Sequence, residues 1–166
     1  MGERIYSFAP VWRSDARVLI LGSMPSVESL KQGFYYAHPR NAFWPMMAQI
    51  LGEAAPRSIE EKKEMLIRHC IALWDSARSC EREGSLDSAI REAQGNDFAK
   101  LYANCPEIRH IFFNGAAAMD LYRRLVERED AKRVFHRMPS TSPAYTMKYE
   151  NKLEIWNKEL KEALKE

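Results

Sequence analysis

Arg17-Val18-Leu19-Ile20-Leu21-Gly22-Ser23-Met24-Pro25-Ser26 decides how this chain folds. Val18 to Leu21 is an unbroken apolar run, which reads as a buried strand, and Gly22 to Pro25 punctuates it as a tight turn. The same arrangement, an apolar run ending on small polar residues, returns three times. Cys70 to Trp74 delivers Asp75, His110 to Phe113 delivers Asn114-Gly115, and Arg133 to His136 leads into Met138-Pro139-Ser140-Thr141-Ser142-Pro143-Ala144.

Helical patterns separate these runs. Asn41 to Leu51 places Phe43, Trp44, Met47, Ile50 and Leu51 on one face before Gly52, and Pro45 is tolerated in a first turn. Ser58-Ile59-Glu60-Glu61 has capping-box spacing and opens a helix to about His69. Ser85 is expected to cap a further helix, and Asp97 to Asn104 forms a short one stopped by Pro106. Ala116 to Arg128 is the next, and a charged amphipathic helix from about Met147 closes the chain. In that last helix Leu153, Trp156, Leu160 and Leu164 face inward while Lys and Glu alternate outside. Strands alternating with helices imply parallel pairing by crossovers. The expectation is a three-layer α/β/α sandwich with a central, mainly parallel four-stranded sheet, residues 1–166 forming one domain. In such sheets ligands bind beyond the carboxyl ends of the strands, where Ser23, Asp75, Asn114 and Ser140 to Ser142 lie.

Composition narrows the class. A 166-residue chain that is 46% hydrophobic can bury a core without disulfides or metal. The net charge of +2 excludes a polycation, so nucleic-acid contact must come from a local patch. No apolar run approaches the roughly 20 residues that span a bilayer, and no signal-peptide pattern opens the chain, so a cytoplasmic protein with no membrane partner is expected. Cys70, Cys80 and Cys105 form no CxxC pair and read as buried thiols. The four histidines, His38, His69, His110 and His136, follow no zinc pattern. Neither metal nor organic cofactor is expected.

Tyr35-Tyr36-Ala37-His38-Pro39-Arg40-Asn41-Ala42-Phe43-Trp44 is the segment richest in chemistry. Flat rings and amide groups after a strand end suit a planar, hydrogen-bonding ligand such as a nucleobase. Each residue also has a purely structural reading. Asn41 is a good helix N-cap, Asn114-Gly115 an ordinary strand-to-helix turn, and Phe43 and Trp44 core. Met24 reads as packing, Asp75 as a loop cap, and Ser140-Thr141-Ser142 as turn chemistry.

The order of these pieces resembles the uracil-DNA glycosylase superfamily. Gly22-Ser23-Met24-Pro25-Ser26 looks like its first motif. Tyr36-Ala37-His38-Pro39-Arg40-Asn41-Ala42-Phe43-Trp44 is similar to the aromatic-Ala-His-Pro-x-Asn-x-Phe-Trp run of the mismatch-specific uracil and thymine glycosylases. Ser140 to Ala144 looks like the serine loop that grips the DNA backbone. Met24 stands where the family usually has a water-orienting Asn or Asp, Ser140 where several relatives have histidine, and Ala144 where a leucine wedge is usual. These departures resemble the hypoxanthine-DNA (deoxyinosine) glycosylase branch, in which the asparagine equivalent to Asn41 carries catalysis.

What the resemblance implies is a monomeric DNA-repair enzyme that removes a deaminated base, hypoxanthine first and uracil second, flipped out of DNA. Asn41 and Asn114 are then the catalytic candidates, with Ser23, Met24, Tyr36, His38 and Asp75 around the base. Ser140, Thr141, Ser142, Pro143, Arg40 and Arg137 are the DNA contacts; Arg133, beside the last strand, is a further basic candidate. The chemistry agrees: breaking an N-glycosidic bond leaves negative charge on the base, and a neutral amide can donate to it or orient water. Two rivals remain, a catalytically silent nucleic-acid-binding module of this fold and a nucleoside or nucleotide hydrolase.

Overall fold

The computed structural model describes residues 3–166. The chain begins with strands β1 (Arg4–Tyr6) and β2 (Val18–Gly22), then helices α1 (Val27–Gln32), α2 (Phe43–Leu51) and α3 (Ile59–Arg68). Strands β3 (Ile71–Asp75) and β4 (Ala77–Glu81) follow, then a 3₁₀ turn (Asp87–Ala89) and β5 (Arg91–Gly95). Helix α4 (Phe98–Asn104), strand β6 (His110–Asn114), helix α5 (Ala116–Leu125), strand β7 (Val134–Met138) and helix α6 (Tyr149–Lys165) complete it.

The four apolar runs form one sheet in the order β3-β2-β6-β7, and every pair is parallel. β2, β3 and β6 are buried along their whole length, which is why they read as unbroken runs rather than alternating ones. Gly22 aligns with Asp75, and Asn114 with Met138, so the polar residues that end the strands finish side by side. The order also places a topological switch between β2 and β6. Chain leaving β2 goes to one neighbour, β3, and returns to the other, opening a crevice at the strand ends.

Helices flank this sheet, giving the three-layer α/β/α arrangement. Trp156 on α6 is fully buried, stacks on Phe112 of β6 at 6.1 Å, and donates from Nε1 to the Pro139 carbonyl at 2.9 Å. The C-terminal helix thereby holds the start of the loop after β7. Among the described residues no helix is long and apolar enough to cross a membrane.

Several expectations are corrected. No helix follows Ser85; its hydroxyl accepts the Val27 amide at 2.9 Å, and the chain makes the 3₁₀ turn and then β5. β5 is Arg-Glu-Ala-Gln-Gly, a composition that favours helix, but β4 supplies the pairing that overrides it. β1, β4 and β5 make an unforeseen antiparallel three-stranded sheet, with register shifts between β4 and β5. Helix α1, capped by Ser26, was also missed because it has only six residues. The helix expected from Asn41 starts at Phe43, the one expected to reach Arg128 stops at Leu125, and the last begins at Tyr149 rather than Met147. The fourth strand runs Val134–Met138 rather than Arg133 to His136.

Trp156→Ala is expected to lower stability by about 3–5 kcal/mol in denaturant unfolding, the cost of emptying a buried indole site. It also frees the Pro139 carbonyl, so amide hydrogen exchange in the loop after β7 should quicken by more than the unfolded fraction explains.

Candidate active site

The ends of β2, β3 and β6, the aromatic segment and the loop after β7 enclose one cavity of about 320 Å³. Ser23, Met24, Tyr36, His38, Asn41, Asp75, Asn114, Ser140, Thr141, Ser142 and Pro143 all line it. Arg40 and Arg137 do not; both are exposed, and Arg137 borders a neighbouring groove that shares Ser140 and Ser142 with the cavity. Arg133 lies away from the cavity, over the Tyr102 ring and paired with Asp130.

Gly22 makes the inner wall possible. A β-carbon there would stand 2.7 Å from Asp75 Oδ1 and 2.7 Å from the Tyr36 hydroxyl, so only glycine lets the two side chains converge on the strand end. Tyr36 has a left-handed backbone (φ 53°), and its ring stacks on buried Phe43 with centroids 4.2 Å apart. Its hydroxyl is buried without a hydrogen-bond partner among the described residues, and burial, followed by nearby Asp75, raises its pKa. Trp44 donates from Nε1 to the Tyr35 carbonyl, which fixes the aromatic segment from behind.

Asn41 divides its amide between two tasks. Oδ1 accepts the Phe43 N–H at 2.9 Å, just before the helix, and this donor fixes which end of the amide is oxygen. Nδ2 makes no hydrogen bond among the described residues, leaving the donor end of a cavity-lining side chain unspent. The capping expectation is corrected: Ala42 holds the N-cap position, and the Asn41 oxygen closes a turn two residues long just ahead of it. His38 accepts the Arg40 N–H at Nδ1, 3.0 Å away, which sets the ring on the cavity wall.

Asn114 is engaged at both ends. Its Oδ1 accepts the Thr141 N–H at 2.9 Å and its Nδ2 donates to Thr141 Oγ1 at 3.0 Å. Thr141 is 1% exposed, so the expected phosphate contact from its hydroxyl is corrected: that oxygen is occupied and faces inward. Its carbonyl accepts the Ala42 N–H at 3.0 Å, joining the loop to the start of α2. Gly115 (φ 97°) passes so close that a β-carbon would come within 3.2 Å of Ser140 Cβ. Ser140 and Ser142 hydroxyls accept the N–H groups of Ser142 and Ala144, shaping the turn at the cavity mouth. Lys152, buried on α6, donates to the Ser142 carbonyl at 3.0 Å.

Asp75 is 2% exposed and accepts the Ser7 hydroxyl at 2.7 Å. Burial pushes its pKa up to about 7, against the opposing effects of Ser7 and of the Arg82 guanidinium. The Met24 side chain packs into a small apolar cluster with Ala77, Cys80 and Leu121, so it closes the wall rather than offering a polar group. Sequence reasoning missed Asp87, which lines the cavity and accepts the Ser23 hydroxyl at 2.6 Å. It sits in a loop whose helical expectation was wrong, and no motif marked it. Among the described residues no three His, Cys, Asp or Glu side chains gather as a metal site would need.

The matching family model is the uracil DNA glycosylase superfamily, and it covers residues 10–165. The chain belongs to that superfamily. It is 40% identical over 112 residues to a hypoxanthine DNA glycosylase of Methanosarcina acetivorans, a match covering 67% of this chain and 71% of the relative. A hypoxanthine DNA glycosylase of Methanosarcina barkeri is 36% identical over 109 residues, 65% of this chain and 69% of the relative. In fold, the chain superposes with a TM-score of 0.83 and 32% identity on a solution NMR structure from Methanosarcina acetivorans, named as a candidate uracil DNA glycosylase. That match covers 97% of this chain and 99% of the other.

Two outcomes follow for this superfamily member. Gly22→Ala is expected to cost about 1–3 kcal/mol by overpacking. Because Tyr36 or Asp75 must withdraw, it should also remove base excision, as unfolding curves and an excision assay would show together. The second outcome concerns pH. Folded Asp75 keeps its proton up to about pH 7, whereas its ordinary value is 3.8. The folded state thus binds more protons between these values, and Asp75 makes stability fall as pH rises from about 4 to 7. Relative to Asp75→Asn, the wild type should lose at most about 4 kcal/mol across that window and nothing further above it. A difference that stays flat with pH, measured by denaturant unfolding, would contradict a buried neutral carboxyl.

Proposed function

We propose that this protein hydrolyses the N-glycosidic bond of deoxyinosine in DNA, releasing hypoxanthine, with Asn41 as the amide that acts on the departing base. As a member of the superfamily, it is a DNA glycosylase that acts on deaminated bases. The observation that carries the finer reading is the unspent Nδ2 of Asn41 beside an aromatic wall. Negative charge develops on the base as the bond breaks, and a positioned N–H donor stabilises it more in the transition state than in the ground state. The same donor favours hypoxanthine over adenine: hypoxanthine presents a carbonyl oxygen where adenine presents an amino group, which would meet the amide donor to donor. The relatives named for hypoxanthine support that preference, and uracil, also rich in carbonyls, is the second substrate.

The remaining residues take supporting roles. Tyr36, backed by Phe43, stacks on the flipped base and offsets part of the cost of unstacking it from DNA. Asn114 holds Thr141, and through it the loop, in place. The Ser140 and Ser142 hydroxyls, Pro143 and the exposed Arg40 and Arg137 meet the phosphate backbone. The same reading has the enzyme act as a monomer without a cofactor.

A duplex carrying one deoxyinosine should yield an abasic site in the presence of a chelator, with deoxyuridine cleaved more slowly. Binding without base release would favour the silent-module reading, and faster hydrolysis of free inosine would favour a nucleoside hydrolase. Asn41→Asp keeps the acceptor for Phe43 N–H but removes the donor. It should fold normally and lose about 2.7–4 kcal/mol of transition-state stabilisation, a hundred- to thousandfold in kcat. A near-normal rate would remove Asn41 from catalysis.

A further inference from the structure

The loop between β4 and β5 brings a carboxylate to the cavity that the strand-end motifs do not provide. Asp87 lines both the base cavity and the neighbouring groove under the serine loop, so it stands on the rim between them. On the base-excision reading, a base held in the cavity would put its sugar at this rim. The loop is pinned on both sides of Asp87. Ser85 accepts the Val27 N–H at 2.9 Å, and the Asp87 carbonyl accepts the Ile90 N–H at 3.2 Å, closing the 3₁₀ turn. Ser23 Oγ, itself buried, donates to Asp87 Oδ1 at 2.6 Å. That bond fixes one carboxylate oxygen and leaves Oδ2 with no partner among the described residues.

The strand-end and aromatic-segment groups named first are largely committed elsewhere. Met24 is apolar and packed, Asn41 has its oxygen on the Phe43 N–H, Asn114 is occupied at both ends, and Asp75, 2% exposed, spends Oδ2 on the Ser7 hydroxyl. Asp87 also carries a cost: an exposed carboxylate at a surface that receives DNA repels phosphates. A purely structural acceptor for Ser23 needs no charge, so the charge calls for a role in the reaction.

We propose that Asp87 is a second catalytic residue, which orients the attacking water and stabilises the cationic sugar, with Ser23 as its positioning residue. This rests on the base-excision reading above. Water held by Oδ2 adds to C1′ as the C1′–N bond breaks, and the bonding electron pair leaves on the base. The water's proton passes to the carboxylate and from there to solvent, while the base takes up a proton to leave neutral. The sugar keeps the hydroxyl, so one water is consumed for each base released.

Single-turnover excision and DNA binding separate this from a structural role. Asp87→Asn retains an acceptor for Ser23 and nearly the same shape. Its rate on the deoxyinosine duplex should fall by on the order of a hundredfold, as for loss of a positioned general base. Its affinity for the duplex should be equal or tighter, because a negative charge is gone. Asp87→Glu should recover part of the rate. A near-wild-type rate for Asp87→Asn, or a loss confined to DNA affinity, would overturn the assignment. The wild type is assayed first on deoxyinosine and deoxyuridine duplexes. Release of neither base sinks the base-excision reading and Asp87 with it, whereas release at similar rates by the wild type and Asp87→Asn sinks Asp87 alone.

Discussion

The reciprocal pair between Asn114 and Thr141 holds the site together. One carboxamide uses its oxygen on the Thr141 N–H and its nitrogen on the Thr141 hydroxyl, both within ordinary hydrogen-bond distance. Thr141 then accepts the Ala42 N–H, so a single buried threonine connects the end of β6, the loop after β7 and the N-cap of α2, next to Asn41. Every polar atom of that junction is satisfied, and in a water-poor interior the loss of one partner leaves the others unpaired at a cost of roughly 1–3 kcal/mol each. The junction therefore has few alternative arrangements. Asn41 and the serine loop keep a fixed separation because both are referred to the same residue.

Electrostatically the cavity is graded from inside to outside. At depth, Asp75 is held close to neutral by burial, and the Tyr36 hydroxyl is uncharged. The middle is amide and aromatic surface, which accepts a base with fractional negative charge without introducing full charges. At the rim stands the Asp87 carboxylate, Arg137 borders the adjoining groove, and Arg40 is exposed at the surface. This order matches a ligand whose base is neutral, whose sugar becomes cationic and whose backbone is anionic.

The central sheet and the strand-end polar residues were legible because a parallel strand buried on both faces leaves an unbroken apolar run, as at Val18–Leu21 and His110–Phe113. Ser23, Asp75 and Asn114 followed from that, since a strand end is the one place where such a run must meet polar residues. The second sheet was not legible. Arg91–Gly95 carries helix-favouring residues, and its strand character exists only through pairing with β4. Asp87 was hidden for the same reason: its position depends on how a misread loop packs against Ser23, not on any local pattern. The divided use of Asn41 was not legible either, because only the fold shows its oxygen spent on the Phe43 N–H and its nitrogen without a partner among the described residues.

The strand order has a consequence for how this protein comes into being. β2, near the beginning of the chain, finds its partners in β3 and β6, which follow some fifty and ninety residues later, and the loop after β7 is held by α6 at the other end. Contacts between segments so far apart in sequence close late and are slow to form. A copy in which α6 has not yet docked, whether still emerging during synthesis or partly unfolded, lacks both of these holds on the loop at the cavity mouth. The last helix to be made thus sets the firmness of a site whose walls it does not line.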